Sequence, residues 1–172
     1  MTRILGIDPG SRITGFGVID IEGNHTKHIA NGCIRVKGKT LSEKLHKIFT
    51  EINDAITRYK PEEVSIEKVF MHKNADSALK LGQARGVAIA ACATRDLEVF
   101  EYTANQVKQA TVGKGHAKKD QVQHMVKILL CIQEDLQEDA ADALAIALCH
   151  GHSRDTLMRI EGVRGVKGGR LV

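Results

Sequence analysis

The sequence contains few aromatic residues and few prolines. Among 172 residues there are no tryptophans, two tyrosines, four phenylalanines and two prolines. So few aromatic rings leave little for the stacking platform on which many single-strand-binding proteins hold bases. We therefore expect any nucleic-acid partner to be bound mainly through its phosphate charge and its shape.

The sequence also lacks long apolar runs and closely spaced cysteines. No run approaches the roughly 18 apolar residues of a membrane span, so we expect no membrane partner. The N-terminal residues carry no charged and then apolar pattern of a secretion signal. The four cysteines are far apart and are expected to be reduced thiols of a cytoplasmic protein. The segment 149–152, Cys-His-Gly-His, has no second ligand pair, so we reject a zinc site there.

The apolar pattern predicts a single α/β domain. The length fits one domain, and 42% hydrophobic with 27% charged residues is typical of a globular protein. Strands are predicted at residues 3–8, 14–21, 28–36, 64–67 and 98–102. Helices are predicted at residues 41–59, 74–95, 104–112, 117–132 and 138–150. This order predicts a mixed five-stranded sheet with helices on both faces over residues 1–152, followed by a basic, glycine-rich flexible tail at 153–172.

Small residues recur at two places where close packing is expected. Gly15 and Gly17 lie on one face of the second predicted strand, where their missing side chains allow another element to approach. The predicted helix 74–95 carries a ridge of small residues one turn apart, namely Ala78, Gly82, Gly86 and Ala90. This ridge either forms a subunit contact or packs on the chain's own sheet.

The net charge of +4 is unevenly distributed. Residues 103–130 carry five lysines and one aspartate, residues 131–148 carry five acidic and no basic residues, and residues 151–172 carry five basic and two acidic residues. An acidic segment between basic segments fits a metal site beside a polyanion. Solvated helix faces are the more common explanation of any single charged run.

Four carboxylates occur in apolar surroundings. Asp8 ends a strand before Pro9, and Glu67 ends another; a turn carboxylate and a solvent-facing strand residue are the alternatives for these two. Asp139 and Asp142 share a helix face, where Asp139 could serve as a helix cap. Asp142 is followed only by apolar residues up to Cys149 and has no basic residue within one turn, so its burial requires a partner or a metal.

If these four groups converge, their mutual repulsion requires cations. Oxygen ligands select hard ions such as Mg²⁺ or Mn²⁺ over zinc. Two such ions about 4 Å apart can activate water and stabilise the leaving oxygen of a phosphodiester. Residue types and spacing thus indicate a metal-dependent phosphodiesterase, provided that the four groups meet in space.

Four segments closely resemble the bacterial RuvC family. They are residues 8–17 (DPGSRITGFG), 66–70 (IEKVF), 74–86 (NADSALKLGQARG) and 139–145 (DAADALA). The resemblance extends in order over about residues 1–150, and the third segment is its most specific part. It implies a ribonuclease-H-like fold and a homodimeric endonuclease that resolves Holliday junctions in recombination and repair. It also implies paired nicks with 5′-phosphate and 3′-hydroxyl ends, and cooperation with RuvA and RuvB.

The same resemblance assigns roles to individual residues. Asp8, Glu67, Asp139 and Asp142 match the catalytic carboxylates, which would hold two Mg²⁺ ions per subunit, with Mn²⁺ as a substitute. Phe70 matches an aromatic residue beside the crossover, where a strand-end core residue is the alternative. Lys108 and Lys119 match lysines that the family uses near the scissile strand. Apart from the resemblance, we expect Arg85, Lys114 and Lys118 to contact phosphates of the DNA.

Two other functions compete with this interpretation. The segment 6–10 also resembles the first phosphate loop of actin-like ATPases, but such proteins need a second lobe and a second phosphate hairpin. A junction-binding module without catalysis is the other possibility. The presence of all four carboxylates favours an enzyme.

Overall fold

The computed structural model describes residues 1–69, 74–159, 166–167 and 170–171. The main sheet consists of β1 (Thr2–Asp8), β2 (Ile13–Glu22), β3 (His25–Arg35), β4 (Glu63–Glu67) and β5 (Val99–Tyr102). The helices are α1 (Leu41–Tyr59), α2 (Ala75–Ala93), α3 (Ala104–Val112), α4 (Lys119–Leu129) and α5 (Glu138–Arg159). Two short strands, β6 (Val166–Lys167) and β7 (Arg170–Leu171), pair with each other.

The main sheet has the order β3-β2-β1-β4-β5. The pairs β1–β2 and β2–β3 are antiparallel, whereas β1–β4 and β4–β5 are parallel. This arrangement confirms the predicted mixed five-stranded sheet. Strands β1, β2 and β3 are antiparallel because short turns connect them directly. Strands β1, β4 and β5 are parallel because the connections to β4 and β5 pass through the helices α1 and α2.

Helices cover both faces of the sheet, as predicted. On one face, α1 and α2 pack against the apolar side chains of β1 and β4, including Leu5, Ile7 and Ile66. On the other face, α3, α4 and α5 pack around Ile4 of β1 and Ile19 and Ile21 of β2. Side chains alternate between the faces along each strand, so neighbouring residues belong to different cores.

Helix α5 extends beyond its predicted end at His150 and reaches Arg159. Residues 153–159, assigned from the sequence to the flexible tail, are therefore helical. The apolar pattern stops near His150, but polar contacts continue: His150 Nε2 lies 2.8 Å from Glu63 Oε2, and Arg154 Nε donates to Glu63 Oε1 at 2.9 Å. These contacts attach the polar end of α5 to β4. Because they are polar, the apolar pattern of the sequence does not indicate this extension of the helix. The division into a nuclease domain and a tail remains a prediction.

The centre of α5 lies directly on glycines of β1 and β2. A Cβ atom added to Gly6 would overlap the backbone carbonyl of Ala143, and one added to Gly15 would overlap that of Asp139. At Gly17 the added atom would lie 2.6 Å from Cγ of Leu144. The close approach expected from Gly15 and Gly17 is thus made by α5, because only glycine leaves room for its backbone at these positions.

The small-residue ridge of α2 does not pack on the sheet. Gly82, Gly86 and Ala90 are exposed, and a Cβ atom added to either glycine would have nothing within 4 Å. The opposite side of α2 is buried and carries Ala84, Ala88, Ala91 and Cys92. The neighbouring Leu79 is 62% exposed. Of the two interpretations from the sequence, packing of the ridge on its own sheet is wrong.

None of the helices within the described residues is both long enough and apolar enough to cross a membrane. All four cysteines are free thiols, and Cys92 and Cys149 are buried in the two cores.

Replacing Gly15 by alanine tests the packing of α5. We expect Gly15→Ala to lower the free energy of unfolding by about 1–3 kcal/mol, because the new methyl group displaces the start of α5. Urea denaturation measures the change. Gly115→Ala is the matched control, since its added Cβ would be 3.7 Å from the nearest atom, Asn105 O, and should cost less than about 0.5 kcal/mol. Equal effects of the two substitutions would contradict the close contact.

Candidate active site

Two of the predicted site residues end adjacent parallel strands. The β1–β4 register pairs Ile7 with Ile66, and Asp8 and Glu67 follow these residues at the carboxyl ends of their strands. The Ser65 hydroxyl donates to the carbonyl of Ile146 at 3.3 Å, so the side of β4 that carries Ser65 faces α5. By strand alternation Glu67 lies on this same side. Asp8 likewise shares a face with Gly6, which contacts Ala143 of α5.

Helix α5 supplies the other two carboxylates. Asp139 and Asp142 are three residues apart near its start and share one face of the helix. The Asp139 carbonyl lies against Gly15, and Gly15 pairs with Asp8 in the β1–β2 register. The glycine contact therefore determines how closely the start of α5 approaches the end of β1.

A cavity of about 200 Å³ opens where these elements meet. Its polar lining consists of Asp8, Glu67, Asp142, Lys108 and Lys119, and its apolar lining of Ala104, Val107, Val122 and Ile146. Three of the four predicted carboxylates and two of the predicted lysines thus line one cavity. Asp139 does not line it, although its charge acts on Asp8.

The carboxylates interact electrostatically. Burial, followed by the charges of Asp142, Glu67 and Asp139, raises the pKa of Asp8 to about 8, while Lys119 acts in the opposite direction. Burial also raises the pKa of Asp142 above its usual value, again opposed by Lys119. Ionising all four groups near neutral pH is therefore costly unless additional positive charge enters the cavity.

Lys119 is the basic residue that approaches the cluster. It begins α4, and its Nζ lies 2.6 Å from Glu138 Oε1 and 3.5 Å from Asp142 Oδ2. Its hydrogen bond to Glu138 is the main cause of a raised pKa. The sequence shows no basic residue within one turn of Asp142 because this partner comes from a different helix. Reasoning from the sequence also missed Glu138, whose only signal is its place in the acidic segment.

The donor set of the cluster suits a hard divalent cation. Asp8, Glu67, Asp139 and Asp142 offer only carboxylate oxygens, which favour Mg²⁺ or Mn²⁺. Burial, and after it the neighbouring carboxylates, raises the pKa values of Asp8 and Asp142, and such an ion would neutralise these buried charges. Across the part of the chain that the structure describes, no three His, Cys, Asp or Glu side chains form a ready-made metal site.

The remaining candidates occupy different surroundings. Lys114 and Lys118 are exposed between α3 and α4. Arg85 is half-buried; its Nε donates to the Glu67 carbonyl at 3.1 Å, and its guanidinium also pairs with Glu101. Arg85 therefore supports the end of β4 from within the protein, which the sequence did not indicate. Phe70 lies outside the described residues. DNA contacts by these residues and by Lys108 and Lys119 stay predictions.

The raised pKa of Asp8 predicts a pH-dependent stability. Since folded Asp8 binds its proton more tightly than unfolded Asp8, the wild-type protein should lose stability as the pH rises from about 4 to about 8. Without divalent ions, Asp8→Asn should raise the free energy of unfolding by about 2 kcal/mol at pH 8 and by little at pH 4. Urea denaturation at both values measures this, with Asp54→Asn on exposed α1 as control. An Asp8→Asn effect independent of pH would refute the electrostatic cause.

Comparison with known proteins matches this chain to one family. The family model described as crossover junction endodeoxyribonuclease RuvC matches residues 4–150. A crossover junction endodeoxyribonuclease RuvC of Hahella chejuensis is 54% identical over 171 residues, 99% of each chain. One from Tolumonas auensis is 56% identical over 172 residues, again 99% of each chain.

Solved structures agree with the sequence comparisons. The structure of T. thermophilus RuvC in complex with Holliday junction substrate superposes with a TM-score of 0.84 and 31% identity, covering 91% of this chain and 96% of that chain. The predicted ribonuclease-H-like fold is confirmed by this match. Family membership also favours the nuclease interpretation over an ATPase or a binding module without catalysis. The chain therefore belongs to the RuvC family of crossover junction endodeoxyribonucleases.

Proposed function

We propose that this protein cuts four-way DNA junctions by paired, symmetric hydrolysis of phosphodiester bonds in recombination and repair. The observation that carries the proposal is one cavity at the carboxyl ends of β1 and β4, where burial and the charges of Asp142, Glu67 and Asp139 raise the pKa of Asp8. The substrate is suggested by the names of the relatives and by the junction-bound T. thermophilus structure.

Asp8, Glu67, Asp139 and Asp142 would hold two Mg²⁺ ions, with Mn²⁺ able to substitute. Bound there, the ions would supply an activated water and neutralise the leaving oxygen, giving 5′-phosphate and 3′-hydroxyl ends. The protein's part would be to bring the four carboxylates to these ions. Strands β1 and β4 and helix α5 carry Asp8, Glu67 and Asp142 into the cavity lining, and the Arg85 contact to the Glu67 carbonyl supports β4.

The basic residues around the cavity would bind the DNA backbone. Lys108 and Lys119 line the cavity, and the exposed Lys114 and Lys118 extend the positive surface along the connection from α3 to α4. Phosphate contacts of this kind supply affinity without reading base sequence. Phe70 would contact an unstacked base at the crossover, and Arg85 is the candidate for a further phosphate contact.

A homodimer would place two such sites on one junction. The exposed ridge Gly82, Gly86 and Ala90 of α2, together with exposed Leu79, allows the α2 helices of two copies to approach closely. Two-fold symmetry of the protein would then match the two strands that must be cut. We further propose a cytoplasmic location and cooperation with the branch-migration proteins RuvA and RuvB.

Asp8→Asn should separate DNA binding from cleavage. We expect the variant to lower the cleavage rate of a synthetic mobile junction in Mg²⁺ by at least about 100-fold, because it removes a carboxylate from the proposed metal site. Junction affinity, measured by gel shift in EDTA, should stay within about threefold since the lysines are unchanged.

Asp54→Asn is the matched control for this experiment. Asp54 is exposed on the solvent side of α1, across the sheet from the cavity. The variant loses the same type of charge there and should cleave like the wild-type protein. Wild-type cleavage by Asp8→Asn would overturn the metal assignment. Loss of junction binding together with cleavage would show that Asp8 supports the structure and not the chemistry alone.

A cysteine at position 78 tests the proposed subunit contact. In a background where exposed Cys131 is replaced by serine, Ala78→Cys should form a covalent dimer with a short bifunctional thiol reagent. Asp54→Cys in the same background should stay monomeric on a denaturing gel. A dimer in sedimentation that Ala78→Cys fails to cross-link would place the subunit contact elsewhere.

A further inference from the structure

Glu138 is an acidic residue beside the cavity that does not belong to the four predicted carboxylates. It opens α5, one residue before Asp139, and its Oε1 accepts a hydrogen bond from Lys119 Nζ at 2.6 Å. It is not part of the cavity lining, and its side chain is 60% exposed. Its hydrogen bond to the site is made with Lys119, and its negative charge also acts on Asp142.

Lys119 is shared unequally between two carboxylates. The 2.6 Å contact with Glu138 is a short charge-assisted hydrogen bond, whereas the 3.5 Å contact with Asp142 is at the outer limit of hydrogen bonding. Glu138 thus holds the ammonium group to one side of Asp142. Asp142 is the more buried acceptor, with 26% of its side chain exposed, so without Glu138 it would attract the ammonium strongly.

The position of this ammonium matters because a divalent cation needs the same carboxylate. An ammonium that pairs closely with Asp142 occupies its oxygens and repels an incoming cation. One that is held by Glu138 leaves at least one Asp142 oxygen accessible. The exposed Lys119–Glu138 pair contributes little to folding, since exposed ion pairs are worth about 0–1 kcal/mol. The pair therefore matters more for the position of the ammonium group at the cavity than for the stability of the fold.

We propose that Glu138 is a positioning residue that keeps the Lys119 ammonium away from Asp142 and so leaves this carboxylate available to a divalent cation. The inference rests on the proposed metal site and adds to it a residue that controls access to the site. Glu138 acts in this way through Lys119, whereas its own negative charge acts on Asp142 directly. The part of its contribution that is made through Lys119 must disappear when Lys119 loses its charge.

A double-mutant cycle tests this dependence. Mn²⁺ binding to the full chain without DNA is measured from the electron paramagnetic resonance signal of free Mn²⁺, for wild type, Glu138→Gln, Lys119→Gln and the double variant. We expect Glu138→Gln to weaken binding about three- to tenfold, because the freed ammonium moves onto Asp142. Lys119→Gln should bind Mn²⁺ at least as tightly as wild type. In the Lys119→Gln background, Glu138→Gln should change affinity less than about twofold.

Two controls distinguish the possible causes. Glu134→Gln removes an exposed negative charge from the same acidic segment and should leave Mn²⁺ affinity within about twofold. An equal loss from Glu138→Gln with and without Lys119, or no loss at all, would overturn the proposal.

Asp8→Asn reports on the metal site itself. If wild type binds Mn²⁺ and Asp8→Asn does not, while Glu138→Gln binds like wild type, the metal site stands and the role of Glu138 falls. If wild type does not bind Mn²⁺, both fall.

Discussion

The contact between α5 and the glycines of β1 and β2 is the constraint on which the site depends. Gly6 and Gly15 let the backbone of α5 lie directly on the sheet, where any side chain would overlap it. Asp142 of α5 therefore lines the cavity together with Asp8 and Glu67, and the charge of Asp139 acts on Asp8. Tight packing of small residues, which is ordinarily a matter of stability, here determines where the charges meet.

The resulting arrangement is electrostatically unfavourable in the absence of cations. Burial and like charges raise the pKa of Asp8 to about 8, and Lys119 partly offsets them. A site of this kind lowers the stability of the protein and raises its affinity for hard divalent ions. Perturbed pKa values in a cavity lined by lysines are typical of functional sites. The same charge balance explains why the position of one ammonium group affects metal access.

Much of the fold was predictable because its signals are local. Helix α1 was predicted with its observed bounds from the stripe through Ile48, Ile52 and Ile56, and the strand ends at Asp8 and Glu67 followed from their apolar runs. The four carboxylates were indicated by their apolar surroundings, and the family resemblance then assigned them a common catalytic role. Contacts between distant segments were not predictable: Lys119 with Glu138, Arg85 with the Glu67 carbonyl, and the polar extension of α5 held by Glu63. Such contacts depend on tertiary geometry, which no periodicity encodes.

Anomalous diffraction from crystals of the protein soaked in Mn²⁺ locates bound divalent ions directly. Joint metal binding by the four proposed carboxylates predicts anomalous peaks bounded by Asp8, Glu67, Asp139 and Asp142, with the Lys119 ammonium held by Glu138. Peaks confined to other residues, or the absence of any peak in the cavity at millimolar Mn²⁺, would contradict it.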